Sequence, residues 1–170
     1  MPQSTQIDHV DQILSQWAAA RPDLDAAPMG VVGRICRLAS LLTKEQVRVF
    51  NEYGLDFAGF DVLATLRRSD SPNEMTPTQL ARSMLVTAGA VTQRLARLEA
   101  DGLITRTHST TDRRVISVAL TAQGRQLIDD ALPSHLANET NMLAPLQPDE
   151  LLQLTCLLRR MLLAQDDNPL

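Results

Sequence analysis

The sequence predicts a mainly α-helical fold with one small β-hairpin inserted, and three observations carry that expectation. Only 5 of 170 residues are aromatic (3 Phe, 1 Tyr, 1 Trp), so the core must be built from Leu, Val, Ile, Ala and Met, which suits helices. Apolar residues recur at helical spacing along most of the chain. One stretch departs from that rhythm: in Val115–Leu120, Ile116, Val118 and Leu120 alternate with Val115, Ser117 and Ala119, as a half-buried strand does.

The elements follow in order. Ile7, Val10, Ile13 and Trp17 mark a first helix from about Thr5 to Ala20. Pro22 and Pro28 end it, because each proline disfavours helix in the residue before it. A long second helix spans about Met29 to Glu52, with Val32, Ile35, Cys36, Ala39 and Leu42 on one stripe and Gly54 at its end. The pair Gly30 and Gly33 reads as close helix packing, since no strand precedes them to make a phosphate loop. A third helix covers Phe57 to Ser69 and is closed by Asp70-Ser71-Pro72-Asn73. Thr76-Pro77-Thr78-Gln79 then opens a short helix ending near Met84: Thr76 caps it, Pro77 fits the first helical position and Gln79 completes a capping box. After a break at Leu85-Val86-Thr87, a helix runs from Ala88 to Asp101 and stops at Gly102. Leu103–His108 and Val115–Leu120 are the two strands, joined by the polar loop Ser109–Arg114. Thr121 caps a further helix to about Asn141, with Pro133 a point of bending or breakage. Pro148 opens the last helix, to about Gln165.

Composition narrows the function. With 44% apolar and 21% charged residues the chain is neither disordered nor membrane-like. No apolar run reaches the ~18–20 residues of a membrane span, and the polar start MPQSTQIDHVDQ is no signal peptide. Cys36 and Cys156 are too few for a disulfide framework and fit a reducing, cytoplasmic setting. His9, His108 and His135 form no metal-ligand pattern, so neither a metal nor a cofactor is expected. No Ser/His/Asp or Cys/His motif supports an enzyme.

A short capped helix, a tight turn and a second helix make a helix-turn-helix, and the hairpin directly after it makes the unit winged. The formal net charge is −4, yet Arg82 to Arg114 holds six arginines (Arg82, Arg94, Arg97, Arg106, Arg113, Arg114) against Glu99, Asp101 and Asp112. A local positive patch on an acidic chain draws double-stranded DNA to one face. On the helical wheel of Ala88–Asp101, Val91, Leu95 and Leu98 face inward, while Gly89, Ala90, Gln93 and Arg97 lie opposite, with Thr87 at the start. Gln pairs with adenine and Arg with guanine in the major groove, and small Gly89 and Ala90 let the backbone approach its floor. Arg113 and Arg114, on the hairpin loop, are placed for phosphate or a narrow minor groove. His108, at the end of the first strand, is either a phosphate contact or merely solvated.

From Leu80 to Gly124 the chain, LARSMLVTAGAVTQRLARLEADGLITRTHSTTDRRVISVALTAQG, resembles the winged-helix core of the MarR family of bacterial transcriptional regulators. The family's wing signature, D-x-R then a strand and L-T-x-x-G, stands here as Asp112-Arg113-Arg114 and Leu120-Thr121-Ala122-Gln123-Gly124. The resemblance implies that Arg114 is the wing arginine, stabilised by Asp112, and that Ala88–Asp101 is the recognition helix. A narrower resemblance, to the PecS and urate-responsive branch, rests on Gln16-Trp17, Arg21-Pro22-Asp23-Leu24-Asp25 and Pro28-Met29. It implies an effector site built from Trp17, Asp61, Arg68 and Arg94 and a small anionic effector, urate or a related purine, with an aromatic acid as a further candidate. Asp61 and Arg68 are two helical turns apart, about 10 Å, too far for a direct ion pair and far enough to bracket a planar molecule. An anion drawing on Arg94 would shift the helix bearing Gln93 and Arg97, with a coupling of ~1–3 kcal/mol.

The last helix is apolar on nearly all sides from Leu151 to Leu163 and requires cover all round. A second subunit is expected to supply it, giving a homodimer that reads a pseudo-palindrome with recognition helices about 34 Å apart. The expected division is therefore N-terminal dimerisation helices (1–56), a winged helix-turn-helix lobe (57–124) and C-terminal dimerisation helices (125–170). The function expected is an effector-released repressor. Its competitors are a thiol-based oxidation sensor using Cys36 and a winged-helix protein-interaction module. Both cysteines, in apolar helical settings, are expected to be buried hydrophobes.

Overall fold

The computed structural model describes residues 6–69, 74–84, 91–108 and 116–165. Its elements are α1 (His9–Ala20), α2 (Ala27–Glu52), α3 (Phe57–Arg68), β1 (Glu74–Met75), α4 (Pro77–Ser83), α5 (Val91–Ala100), β2 (Ile104–His108), β3 (Ile116–Leu120), α6 (Ala122–Leu143) and α7 (Pro148–Leu163). The chain forms two compact units, Met1–Glu45 and Gln46–Leu170. The boundary falls inside α2, so its last two turns belong to the second unit.

In the first unit, α1 begins at His9 rather than at Thr5 because Asp8 takes the cap. Its carboxylate accepts from the backbone N–H of Val10 (2.8 Å) and Asp11 (3.0 Å), while Asp11 accepts from the N–H of Asp8 (2.9 Å). Arg34 of α2 holds both carboxylates, through Nε to Asp8 (2.8 Å) and Nη2 to Asp11 (2.6 Å). The Asp8 carboxyl is held below its ordinary range, first by the Asp11 N–H and further by Arg34. A Cβ on Gly30 would stand 3.2 Å from the Leu14 side chain, whereas one on Gly33 would make ordinary contact with Val10 at 3.5 Å, so close helix packing is a requirement at Gly30 at most. The helix α2 starts at Ala27, two residues earlier than its apolar stripe indicates, where the Asp25 carboxylate accepts the Ala27 N–H (2.9 Å).

The second unit has one core, drawn from seven elements. Phe50 from α2, Leu63 and Leu66 from α3, Leu80 from α4, Leu95 from α5, Ile104 from β2, Val118 from β3 and Ile128 from α6 are all fully buried. Each such side chain contributes roughly 1.5–3 kcal/mol relative to exposure. The wing is a sheet in the order β1-β3-β2, antiparallel throughout. Ile104 pairs with Leu120 and His108 with Ile116, as the hairpin reading requires. The third strand is an addition: Glu74 and Met75 pair with Ala119 and Val118, inside what the sequence presents as a loop end.

The far end of the hairpin is locked to α6. The Leu103 carbonyl accepts from the Thr121 N–H (3.1 Å), and the Thr121 hydroxyl donates to the Gly102 carbonyl (2.8 Å). The same hydroxyl oxygen accepts the Gly124 N–H (2.9 Å), capping α6. A Cβ at Gly124 would lie 1.9 Å from the Leu103 carbonyl oxygen, so no other residue fits without moving the strand or the helix. Gly102, at φ +72°, makes the left-handed turn out of α5. Glu99 of α5 meanwhile accepts from Arg106 Nε of β2 (2.8 Å), and that guanidinium holds the Glu99 carboxyl below its ordinary range.

Two expectations are corrected. The helix α6 runs through Pro133 unbroken. Buried Ile128 and Ala131 precede the proline and the Tyr53 hydroxyl meets Ser134 Oγ at 2.6 Å just after it, so tertiary contacts hold both flanks and one missing backbone donor is tolerated. Both cysteines are exposed in the chain, not buried: Cys36 lies in a groove of the first unit and Cys156 on α7, which has no buried residue.

Gly124→Ala is expected to destabilise the protein by about 1–3 kcal/mol through overpacking against Leu103, read as a lower urea midpoint. Glu99→Gln removes a carboxylate whose folded-state pKa is depressed. The stabilisation it gives is present above the ordinary glutamate pKa of about 4.3 and is lost as pH falls through the lower folded value. Urea midpoints of wild type and Glu99→Gln should therefore differ at pH 6 and converge towards pH 3.

Candidate nucleic-acid interface and effector cavity

The helix α4 is built as its sequence dictates. Thr76 Oγ1 accepts the Gln79 N–H (3.2 Å) and Gln79 Oε1 accepts the Thr76 N–H (2.8 Å), with Pro77 at the first helical position. Leu80 sinks fully into the core and fixes the face that α4 presents. On α5, Leu95 and Leu98 are buried at 1% and 4% exposure, which leaves Gln93 and Arg97 on the solvent side. Arg97 is 73% exposed, with Nε 3.9 Å from Asp101, a loose i,i+4 pair that leaves its fork open.

Of the residues the sequence assigns to DNA, Gln93 and Arg97 thus share the outward face of α5. Thr87, Gly89, Ala90, Arg113 and Arg114, with the wing-stabilising Asp112, lie outside the described residues. One arginine of the positive stretch is corrected in role: Arg106 is half-buried and paired with Glu99, so it ties the wing to α5 and adds little to the field at the surface. Arg94 is half-buried and, together with Arg97 and Leu98, lines a shallow cleft beside Gly54, Asp56 and Gly59 at the entry to α3.

A cavity of about 710 Å³ opens within the second unit, among α3, α6 and the last turns of α2. All three phenylalanines of the chain build its wall. Phe50 stacks on Phe60 (ring centroids 4.0 Å apart, planes 14° apart) and meets Phe57 edge-on (5.7 Å, 73°). The His135 ring lies 4.7 Å from Phe60, and its Nε2 is 3.2 Å from Glu139 Oε1, which also accepts from Gln46 Nε2 (3.1 Å). Arg67 Nε donates to Asp129 (2.7 Å). Asp61, only 3% exposed, and Arg68 both line the cavity. Arg68 Nη2 also donates to the Ser83 carbonyl (2.5 Å).

The structure therefore brings Asp61 and Arg68 to one cavity and sets Arg94 in a separate cleft. Trp17 belongs to the first unit and is 41% exposed. The aromatic wall and His135 escaped the sequence reading. The signal was available: in a chain this poor in aromatics, every phenylalanine falls between Phe50 and Phe60. The first unit carries a groove of about 820 Å³, lined by Val10, Ile13, Met29, Val32, Cys36 and Leu41 among others. Though larger, it is mainly aliphatic, and Met29, Val32 and Leu41 stand about half exposed, as on an uncovered packing face. The cavity of the second unit is the one with rings, carboxylates and guanidinium groups facing a common space.

Residues 53–115 match a model of the MarR family. The chain is 37% identical over 151 residues to the HTH-type transcriptional regulator PecS of Dickeya dadantii, covering 89% of this chain and 91% of that protein. Among solved structures it is similar to Sco3205 of Streptomyces coelicolor, solved in complex with DNA (TM-score 0.76, 23% identity, 86% of this chain and 91% of that one). It is also similar to BpsR of Bordetella bronchiseptica, whose DNA binding is regulated by 6-hydroxynicotinic acid (TM-score 0.63, 25% identity, 75% and 91% covered). Seven helices among the described residues, a wing between α5 and α6, and an identity to PecS sustained over nearly the whole of both proteins have one reading: the chain belongs to the MarR family of DNA-binding transcriptional regulators.

Proposed function

We propose that this regulator is a homodimeric repressor that leaves a pseudo-palindromic operator when a small, flat, anionic effector occupies the cavity of the second unit. The observation that carries the DNA half is the division of α5, with Leu95 and Leu98 inward and Gln93 and Arg97 outward. Gln93 and Arg97 read base edges, with Thr87, Gly89 and Ala90 at the approach to the groove floor. Arg113 and Arg114 grip the backbone or minor groove from the wing, and Asp112 steadies the wing.

The chemistry of the cavity supports the effector class. Its volume of about 710 Å³ falls in the ~300–1,000 Å³ range of small-molecule sites. The phenylalanine wall offers faces for a planar ring. Asp61 supplies a carboxylate for ring N–H donors, and Arg68, two turns on, supplies a guanidinium for an anionic edge. A ligand carrying both functions on one ring system, a urate-like purine or a hydroxylated heteroaromatic acid such as 6-hydroxynicotinate, meets both ends. In this reading Arg94 packs α5 against the start of α3 and does not touch the ligand.

The dimer reading rests on α7. All of its residues remain at least partly exposed, including Leu152 at 67%, Leu157 at 50% and Leu162 at 54%. An isolated 16-residue helix is marginal in water, so an apolar one requires a covering surface. Residues 1–56 and 125–170 are assigned to that dimer, and 57–124 to the DNA-reading lobe.

In a gel-shift titration on the chain's own promoter region, wild-type affinity should fall ~10³–10⁵-fold between 50 and 200 mM salt. Arg97→Ala should weaken binding and relax base preference by ~1–3 kcal/mol at one position. Urate or 6-hydroxynicotinate should release the complex, and failure of both to bind in thermal shift would reject the effector class. Leu157→Asp with Leu162→Asp should convert a species of twice the chain mass into monomer in sedimentation and abolish operator binding.

A further inference from the structure

We infer that Arg68 is a latch between the effector cavity and the C-terminal end of α4, so that effector binding unlocks the helix-turn-helix through α4. This rests on the cavity being the effector site, as proposed above. Arg68 is the last residue of α3 and lines the cavity, yet its Nη2 donates to the carbonyl of Ser83 (2.5 Å), the last residue of α4. Its neighbour Arg67 is tied to Asp129 across the same cavity (2.7 Å) and makes no such bridge to α4 in the described contacts.

Three features make that bond consequential. The helix α4 has only seven residues, too few to be stable by itself. The final carbonyls of a helix lack intrahelical partners, and α4 ends in an extended cap (Met84, φ −80°, ψ 151°) rather than a glycine motif that would satisfy them. A cation at a helix C-terminus also meets the negative end of the helix dipole. Arg68 thus supplies from outside the termination that the sequence of α4 does not provide. At its other end α4 is firmly set by the Thr76–Gln79 capping box.

An anion in the cavity competes for the same guanidinium. A bidentate pair with an anionic edge takes two parallel N–H donors in a fixed plane, and turning the fork into the cavity withdraws Nη2 from Ser83. The last turn of α4 is then released while its first turn stays capped. The end of α4 loses its fixed position against α3, and because α5 packs on α4, the outward face bearing Gln93 and Arg97 is no longer held in register with the groove. Arg68 is a positioning residue for DNA binding in this scheme, and the effector acts on α5 by way of α4 rather than by way of Arg94.

Hydrogen exchange of the full-length protein, read by mass spectrometry on peptides within Thr76–Met84, tests this. In the free protein Arg68→Ala should speed exchange of the end of α4 roughly 2–10-fold, the weight of one net hydrogen bond, and weaken operator binding without any effector. Arg68→Lys, which keeps a cationic donor on a similar stem, should retain most of the protection and serves if the alanine variant does not fold. Unchanged exchange in both variants overturns the latch. In the wild type, saturating urate or 6-hydroxynicotinate should speed exchange in the same peptides. A probe that binds by thermal shift but leaves that exchange unchanged, or slows it, overturns the release. If neither probe binds, the effector reading fails and the release step with it, while the free-protein comparison of Arg68 variants still decides whether Arg68 anchors α4.

Discussion

The carbonyl group of Leu103 is the point on which the winged part of the molecule is assembled. It accepts from the Thr121 backbone at 3.1 Å and lies so close to Gly124 that a single added carbon would collide with it. This sets where β2 begins, where β3 ends and where α6 starts, within one small volume. Register follows from it: with Ile104 opposite Leu120, Val118 points into the core and shares it with Leu63, Leu66 and Leu80. A slip of one residue would reverse every side chain of the wing. The L-T-x-x-G pattern is thus a packing requirement, with threonine as cap and glycine as clearance.

Much of this was legible because the signals are local. The Thr76 and Thr121 caps, the positive-φ glycine at 102 and the alternation in β3 each state their structure within a few residues. The inward set of α5 was legible too, since Leu95 and Leu98 fall on one side of a helical wheel. What was missed depends on partners distant in sequence. Glu74 and Met75 become a strand only because Val118 and Ala119 are there to pair with them. Arg106 counts as surface charge until the fold brings it to Glu99, and Pro133 reads as a breaker until Tyr53 and the buried turn before it are in place.

The site divides along the same line. Asp61 and Arg68 could be placed on one helical stripe from their spacing alone, and both do line the cavity. The phenylalanines and His135 come from three different helices, α2, α3 and α6, and no spacing rule relates them. The exposure of both cysteines has a related cause, since each lies on an apolar face that the chain itself leaves uncovered. Sequence identifies such a face as apolar but does not say whether one chain is enough to cover it.

The two-residue strand β1 has a mechanical consequence. It pairs with β3 and runs directly into Thr76, the cap of α4, so the wing and the entry to the helix-turn-helix are sewn together at that seam. The first turn of α4 is thereby coupled to the wing, whereas its last residue meets α3 through the Arg68 bond to the Ser83 carbonyl. Under the proposed release, a small tilt of this one short helix, coupled to the wing at its first turn, would take the place of any large domain rotation.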